Sequence, residues 1–393
     1  MRRLESLDLD GKRVFIRADL NVPLEGGKIS DATRIEATLP TIRLVLGRGG
    51  RAVVASHLGR PKGKPNPEFS LRPVAAFLGD ALGQRVDCAP DCVGEPVERI
   101  VNALGKGQVV VLENLRFHPE EEKNDPGFAA QLARLGDVYV NDAFGAAHRA
   151  HSSTAGVASH LRPAVAGLLM EKELEYLGGA LSNPQRPFIA ILGGAKISGK
   201  IDVIEALLPK VDGLLIGGAM ANTFFKAMGL ETGKSLVEPD RVELAKSLVD
   251  RGAYRLTLPH DAVVAPSLEQ PSSAHAVRRD GIPPNEAMYD IGPDTARSYG
   301  RAIAAALTIL WNGPMGVFET SPFDAGTRAV AQAMADATAK GATTIVGGGD
   351  SAAAVVEAGL ESRMSHVSTG GGASLEFLEG KPLPGVDALE DRR

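Results

Sequence analysis

In both halves of this chain, short and near-continuous apolar runs break off at a loop and are followed by a helical stretch. That order leaves few folds open. The first half has Val14-Phe15-Ile16, Ala52-Val53-Val54-Ala55, Gln108 to Leu112 and Val138-Tyr139-Val140; the second has Phe188 to Leu192, Leu214-Leu215-Ile216, Thr343 to Val346 and Val367-Ser368-Thr369. Strands that are apolar on both faces and alternate with helices build parallel sheets with right-handed crossovers. All strands of such a sheet point one way, so the loops that follow them gather along one edge, where these folds bind ligands.

Between the halves, Met170, Leu174, Leu177 and Leu181 fall at i, i+4, i+7 and i+11. This spacing predicts a helix over 164–181, about 25 Å long, that connects two domains. The long loop from Pro266 to Asn285 carries no signal and is left unassigned. In the first half, Asp31 is placed to cap a helix whose Ile35, Leu39, Ile42 and Leu46 repeat at helical spacing, which puts Arg34 in its first turn.

At 393 residues the chain has room for two or three domains, each with a full core. A net charge of −5 argues against a general nucleic-acid binder. No apolar run approaches the ~20 residues of a membrane span, and the first twenty residues carry charges where a signal peptide needs an apolar core. A cytoplasmic protein without membrane or nucleic-acid partners is expected. Cys88 and Cys92, the only cysteines, have no neighbouring His or Cys in sequence to complete a structural zinc site and fit a reducing compartment.

The strand-exit loops differ between the halves. Those of the first half carry Asp19, Asn21, His57, Arg60, Arg116, His148, Arg149 and His151, which converge on one edge although spread widely in sequence. Cations among hydrogen-bonding side chains suit a small, multiply anionic ligand, because the guanidinium fork matches carboxylate and phosphate oxygens. The acidic run Glu120-Glu121-Glu122 reads as a solvated loop without a role.

In the second half the exits are Gly193-Gly194, Gly217-Gly218, Gly347-Gly348-Gly349 and Gly370-Gly371-Gly372. Glycines at a strand-to-helix turn let backbone N–H groups approach a phosphate, and the helix behind adds a favourable dipole. Neither Gly194 to Lys200 nor Gly233-Lys234-Ser235 completes a Walker A loop: Ile201 stands where Ser or Thr is needed, and Met228 where the leading Gly is needed. No dinucleotide fingerprint follows these strands, which weighs against a nicotinamide oxidoreductase. Glu319, after the turn Asn312-Gly313-Pro314, is placed to accept from ribose hydroxyls, and Asp350 is either a helix N-cap or a magnesium ligand.

Phosphoryl transfer is mainly positioning and charge neutralisation. The chain offers cations and glycine turns for it but no evident general base. A carboxylate acceptor, already ionised at neutral pH, needs none, so an acyl-phosphate kinase fits better than a sugar kinase.

With these residues in view, the sequence closely resembles the phosphoglycerate kinase family. The likeness runs in order through RADLNVP (Arg17 to Pro23), SHLGRP (Ser56 to Pro61), ENLRFH (Glu113 to His118), DAFGAAHRAHSS (Asp142 to Ser153), GGAKISGK (Gly193 to Lys200), WNGPMGVFE (Trp311 to Glu319), GGGDS (Gly347 to Ser351) and STGGGAS (Ser368 to Ser374). It implies an α/β chain of two doubly wound, Rossmann-like parallel-sheet domains: 1–163 for 3-phosphoglycerate and 182–374 for the nucleotide. The interdomain helix 164–181 would join them, hinge-bending would close them, and a tail from about Leu375 would return to the first domain. The likeness also implies reversible transfer between 1,3-bisphosphoglycerate and ADP in glycolysis and gluconeogenesis, with Mg²⁺ accompanying the nucleotide, by a monomer.

Carried over residue by residue, Asp19, Asn21, Arg34, His57, Leu58, Gly59, Arg60, Arg116 and Arg149 would hold the phosphoglycerate. Arg34, Lys196 and the Gly371-Gly372 turn would meet the phosphoryl group in flight. Gly194, Lys200, Gly217, Gly218, Asn312, Pro314, Glu319, Gly348, Gly349, Asp350 and Ser351 would bind the nucleotide, with Asp350 on Mg²⁺. A silent scaffold of the same fold is expected to have lost Arg34, Lys196 or Asp350, and all three are present.

Overall fold

The computed structural model describes residues 2–389. The chain divides into two compact units, one formed by residues up to Glu175 and from Pro382 on, the other by Tyr176–Lys381. No helix among the described residues is long and apolar enough to cross a membrane.

The first unit is built on a six-stranded parallel sheet. Its spatial order is Asp87–Cys88, Val109–Val111, Arg51–Ala55, Arg13–Ala18, Val138–Asp142, Ala164–Ala166. Arg13–Ala18 lies inside the sheet, with Val14 paired to Ala52 on one side and to Val138 on the other. A strand covered on both faces must be apolar throughout, and Val14, Phe15 and Ile16 are fully buried. Val14 and Ile16 share a core with Ile35, Ile42, Val74 and Leu78. Phe15 turns to the other face, 6.2 Å from the Tyr139 ring. The chain order reverses between Arg13–Ala18 and Val138–Asp142, so the loops that leave these strands diverge and open a crevice at their carboxyl ends.

The second unit has the sheet order Leu256–Thr257, Gly213–Ile216, Phe188–Leu192, Thr308–Asn312, Thr343–Gly347, His366–Val367, again all parallel. Ranked along the chain this is the doubly wound 3-2-1-4-5-6 order, whose switch point falls between Phe188–Leu192 and Thr308–Asn312. A three-stranded antiparallel sheet, His275–Arg278, Asp261–Ala265 and Ala287–Ile291, is added beside it.

The structure departs from sequence expectation, or adds to it, in several places. Ala164–Ala166 is not helical: it pairs with Tyr139–Asn141 at the sheet edge, and the helix that leaves the first unit runs over Leu168–Ser182. This helix buries Met170, Glu173, Leu177 and Ala180 rather than the stripe through Leu174 and Leu181. The tail stays in the second unit through the helix Gly372–Leu378, which buries Ala373, Ser374 and Leu378, and the return begins only at Pro382. There Gly385 donates to Ala147 O at 2.8 Å and accepts from Asn141 Nδ2 at 2.9 Å. The loop 266–285 holds the strand His275–Arg278, illegible because an edge strand with exposed residues shows no apolar alternation. Finally, Cys92 lies beside Asp91 and His118, which its sequence neighbours did not suggest. Asp91 and His118 satisfy each other at 2.7 Å, and burial pushes the Cys88 thiol up to about 12 and that of Cys92 well above its usual value, so both cysteines are inert thiols at neutral pH.

Candidate functional site

The first unit gathers its cations at the carboxyl end of the sheet. Arg17, at the end of Arg13–Ala18 and only 1% exposed, donates from Nε to Ser153 Oγ at 2.8 Å and from a terminal nitrogen to His57 Nδ1 at 3.1 Å. A guanidinium has no acceptor, so His57 Nδ1 must be the unprotonated nitrogen, leaving the proton on Nε2. Burial, with Arg17, Arg116, Arg34 and His151 nearby, holds the His57 pKa well below the usual imidazole range. His57 is therefore a neutral donor among cations.

Asn21 and Arg116 shape the loop after Arg51–Ala55. Asn21 Oδ1 accepts from Gly59 N at 2.8 Å, Arg116 donates to Gly59 O at 2.9 Å, and Asn114 donates to Leu58 O at 2.7 Å. Gly59 has φ +60°, and a Cβ there would come within 2.3 Å of the Phe69 ring, so the turn needs glycine. Arg116 is 12% exposed and its buried Nε makes no hydrogen bond; the Glu122 carboxylate lies 3.5 Å away.

Arg34 stands in the first turn of the helix Thr33–Gly47, where the helix dipole disfavours a cation. Asp19, almost buried, holds Arg34 Nη1 through both carboxylate oxygens at 3.1 and 3.0 Å. Asp31 precedes the helix and accepts from Thr33 N at 2.9 Å. The other guanidinium nitrogens of Arg34 make no hydrogen bond among the described residues. Arg60 and Arg149 are exposed at the rim, with Arg149 Nε donating to His148 at 3.1 Å. His151 is buried instead of open to the edge, and burial beside Arg17 pushes its pKa down to about 4.

Glu121 corrects the reading of the acidic run as solvated. It is fully buried, accepting from Ser153 N at 3.0 Å and from Ser153 Oγ.

In the second unit the glycine turns meet at the switch point. Gly193 donates to Asn312 O at 3.0 Å, Gly194 to Pro314 O at 2.9 Å and Gly218 to Met315 O at 2.9 Å. Side chains at Gly193 and Gly217 would collide: a Cβ on Gly193 would lie 2.1 Å from Pro314 O, and one on Gly217 2.4 Å from Met315 Sδ, whereas Gly194 has open space and needs glycine only for its φ of +107°. Lys200 hydrogen-bonds Asn312 Oδ1, and burial pulls its pKa down to about 8 against the opposing pull of Asp350 and Glu379.

Gly348 precedes the helix Gly349–Glu357, so Asp350 sits in the first turn and is not the N-cap. Ser351 is buried and accepts from Gly313 N at 2.6 Å, which ties two turns together. Gly371, at φ +52°, precedes Gly372–Leu378, and Gly370 N donates to Ser368 Oγ at 3.1 Å. Lys196 is exposed just before the turn Ile197–Gly199.

A cleft of about 510 Å³ opens here. Gly194, Gly218, Pro314, Glu319 and Asp350 line it together with Met288, Tyr289, Val317, Phe318, Lys234 and Leu236. Val317 and Phe318 belong to the stretch read from sequence as one side of a nucleoside pocket, but sequence reasoning missed Met288, Tyr289, Lys234 and Leu236. Ala287–Ile291 belongs to the antiparallel sheet, and Lys234 and Leu236 lie in a loop, so rules for parallel-strand exits do not reach them. Gly233, dismissed as an incomplete Walker loop, has φ +55° and a Cβ there would lie 2.2 Å from Pro283 O, so it shapes the turn that presents Lys234.

Known proteins resemble this chain in sequence and in fold. The family model described as phosphoglycerate kinase matches residues 4–381. Phosphoglycerate kinase of Chlorobium luteolum is 59% identical over 392 residues, covering 99% of each chain. The cytosolic phosphoglycerate kinase of Triticum aestivum is 56% identical over 392 residues, 99% of this chain and 98% of that one. Among solved structures, phosphoglycerate kinase from Coxiella burnetii superposes with a TM-score of 0.88 at 44% identity, covering 98% of this chain and 97% of the other. That from Pyrococcus horikoshii OT3 gives 0.86 at 35% identity, covering 99% and 98%.

Proposed function

The chain belongs to the phosphoglycerate kinase family, and on that premise we propose that its two units divide one reversible phosphoryl transfer, between 1,3-bisphosphoglycerate and ADP to give 3-phosphoglycerate and ATP. It is a phosphotransferase of glycolysis, running in reverse for gluconeogenesis. The first unit binds the phosphoglycerate through Asn21, His57, Arg60, Arg116 and Arg149, with Leu58 and Gly59 as the clamped backbone between them. The second binds the nucleotide along Gly194, Gly217, Gly218, Asn312, Pro314, Gly348, Gly349 and Ser351, with Lys200 on its phosphates and Glu319 on its ribose. The observation that carries this division is the pairing of a cation cluster at one switch point with a glycine-lined cleft at the other.

The chemistry asks little covalent work of the protein. The acceptor is a carboxylate, ionised at neutral pH, so no side chain has to remove a proton. In-line transfer then depends on neutralising charge on the moving group. Arg34, which pairs with Asp19 through one guanidinium nitrogen only, and Lys196 supply it, joined by N–H groups of the Gly371-Gly372 turn. Magnesium arrives with the nucleotide. It takes one or two carboxylates besides phosphate oxygens and water, and the exposed Asp350, lining the cleft at a helix N-terminus, fits that demand. Transfer requires both ligands to meet, and the helix Leu168–Ser182, which passes from one unit into the other, is the proposed hinge. The enzyme acts as a cytoplasmic monomer in this reading.

Hydrogen exchange with each ligand alone tests the division. 3-Phosphoglycerate should slow exchange around 19–21, 57–60 and 116, and MgADP around 194–200 and 348–351. Protection of the same segments by both ligands would contradict it.

Lys200 sets a pH dependence. It is charged below about 8 and neutral above, and the neutral amine no longer attracts phosphate. With MgATP varied, kcat/KM should therefore fall as pH rises through about 8, a limb that reports the free enzyme. In Lys200→Arg, charged throughout, the limb should vanish; its persistence would assign it to another group.

A further inference from the structure

Beneath the cations of the first unit runs a buried chain of hydrogen bonds whose direction is fixed by chemistry. Arg17 can only donate, so its Nε–H goes to Ser153 Oγ at 2.8 Å and its terminal N–H to His57 Nδ1 at 3.1 Å. Having accepted from Arg17, the Ser153 hydroxyl gives its single proton to Glu121 Oε1, while Ser153 N donates to Glu121 Oε2 at 3.0 Å. Arg17, Ser153 and Glu121 are 1%, 0% and 0% exposed.

We propose that Glu121 is a positioning residue for the phosphoglycerate: through Ser153 and Arg17 it holds the His57 ring in the Nε2–H form, with a hydrogen-bond donor turned to the ligand. His57 Nε2 makes no hydrogen bond among the described residues, so that proton is free for an anion.

Charge balance supports this. A buried guanidinium without a counter-charge is strongly unfavourable. Among the groups that act on this cluster, Arg116, Arg34, His57, His151, Tyr139 and Cys92 are not anions at neutral pH, and the carboxylate of Glu122 lies against Arg116 at 3.5 Å. The Glu121 carboxyl, which accepts from both Ser153 N and Ser153 Oγ, is the counter-group; burial raises its pKa, and Arg17 and the Ser153 bonds oppose that rise. His151 Nδ1, 3.9 Å from Glu121, is too far for a hydrogen bond and leaves the carboxylate to Ser153. Loss of the carboxylate should release Arg17 and let the His57 tautomers mix, while the nucleotide cleft, wholly within the other unit, is untouched.

The inference rests on assigning 3-phosphoglycerate to this edge, and the test separates the two. In the full-length ¹⁵N-labelled protein, the His57 imidazole resonances are compared among the native chain, Glu121→Gln and Ser153→Ala, without ligand and then with 3-phosphoglycerate. The native protein should show one neutral tautomer, protonated on Nε2, that shifts on ligand addition. Both variants should show mixed tautomers and raise KM for 3-phosphoglycerate by about tenfold, the scale of one charge-assisted hydrogen bond, with kcat and KM for MgATP within about twofold. Should Glu121→Gln fail to fold, Ser153→Ala, which keeps the buried charge pair, carries the test. Unchanged His57 resonances and KM in folded variants would overturn the positioning role, as would a parallel rise of both KM values with an unchanged tautomer. A native protein whose His57 ignores 3-phosphoglycerate would instead overturn the site assignment on which the role rests.

Discussion

Arg34→Ala is expected to lower kcat by ~10³ or more, the scale seen when a cation that meets a transferring phosphoryl group is removed, with little change in nucleotide KM. The placement of Arg34 is the reason. A cation in the first turn of Thr33–Gly47 opposes the helix dipole, and Asp19 holds it there through one nitrogen only. The remaining nitrogens of the fork are left for oxygens of the moving group. Arg34→Lys should recover little, since an ammonium cannot both pair with Asp19 and span two phosphoryl oxygens. Steady-state kinetics with each substrate varied will decide: near-native turnover in Arg34→Ala would remove this residue from the mechanism.

Gly218→Ala should damage the second unit severely. Gly218 has φ +68°, and its Cβ would lie 2.4 Å from Gly194 N, 2.5 Å from Gly194 O and 3.0 Å from Pro314 O. All three are backbone atoms at the switch point, so no side chain can yield. The left-handed conformation and the forced separation of two strand exits together should cost about 3 kcal/mol. Affinity for MgADP should fall about 10²-fold, because a displacement near 1 Å at Gly194 misplaces the phosphate-binding backbone. Calorimetry gives the affinity and denaturant unfolding the stability. Gly349→Ala, at an exposed position with nothing within 4 Å of its Cβ, is the control and should be nearly neutral in stability.

What could be read from sequence, and what could not, follows from the range of the interactions. The strand cores were legible because burial on both faces leaves an uninterrupted apolar run, as in Val14-Phe15-Ile16 and Phe188 to Leu192. The parallel-edge argument then brought Asn21 and Arg116 to one place although they lie far apart in sequence, and both hydrogen-bond the backbone of Gly59. It failed where a residue acts inward. Glu121 stands in a run of acids that reads as solvent-facing, and only its contact with Ser153, 32 positions on, makes it a buried counter-charge. His151 was likewise expected at the edge and is buried behind it. The part of the cleft formed by Met288 and Tyr289 with Lys234 comes from an antiparallel addition and a loop that parallel-sheet logic does not address. Three apolar residues such as Ala164–Ala166 suit helix or strand equally, and the edge pairing to Tyr139 decides it.

The most direct test of two ligands sharing one transfer is a coupled assay of ADP formation from MgATP, run with and without 3-phosphoglycerate. The account predicts that turnover depends strongly on 3-phosphoglycerate. ADP release at the same rate without it, or no turnover while MgATP still binds, would contradict the account.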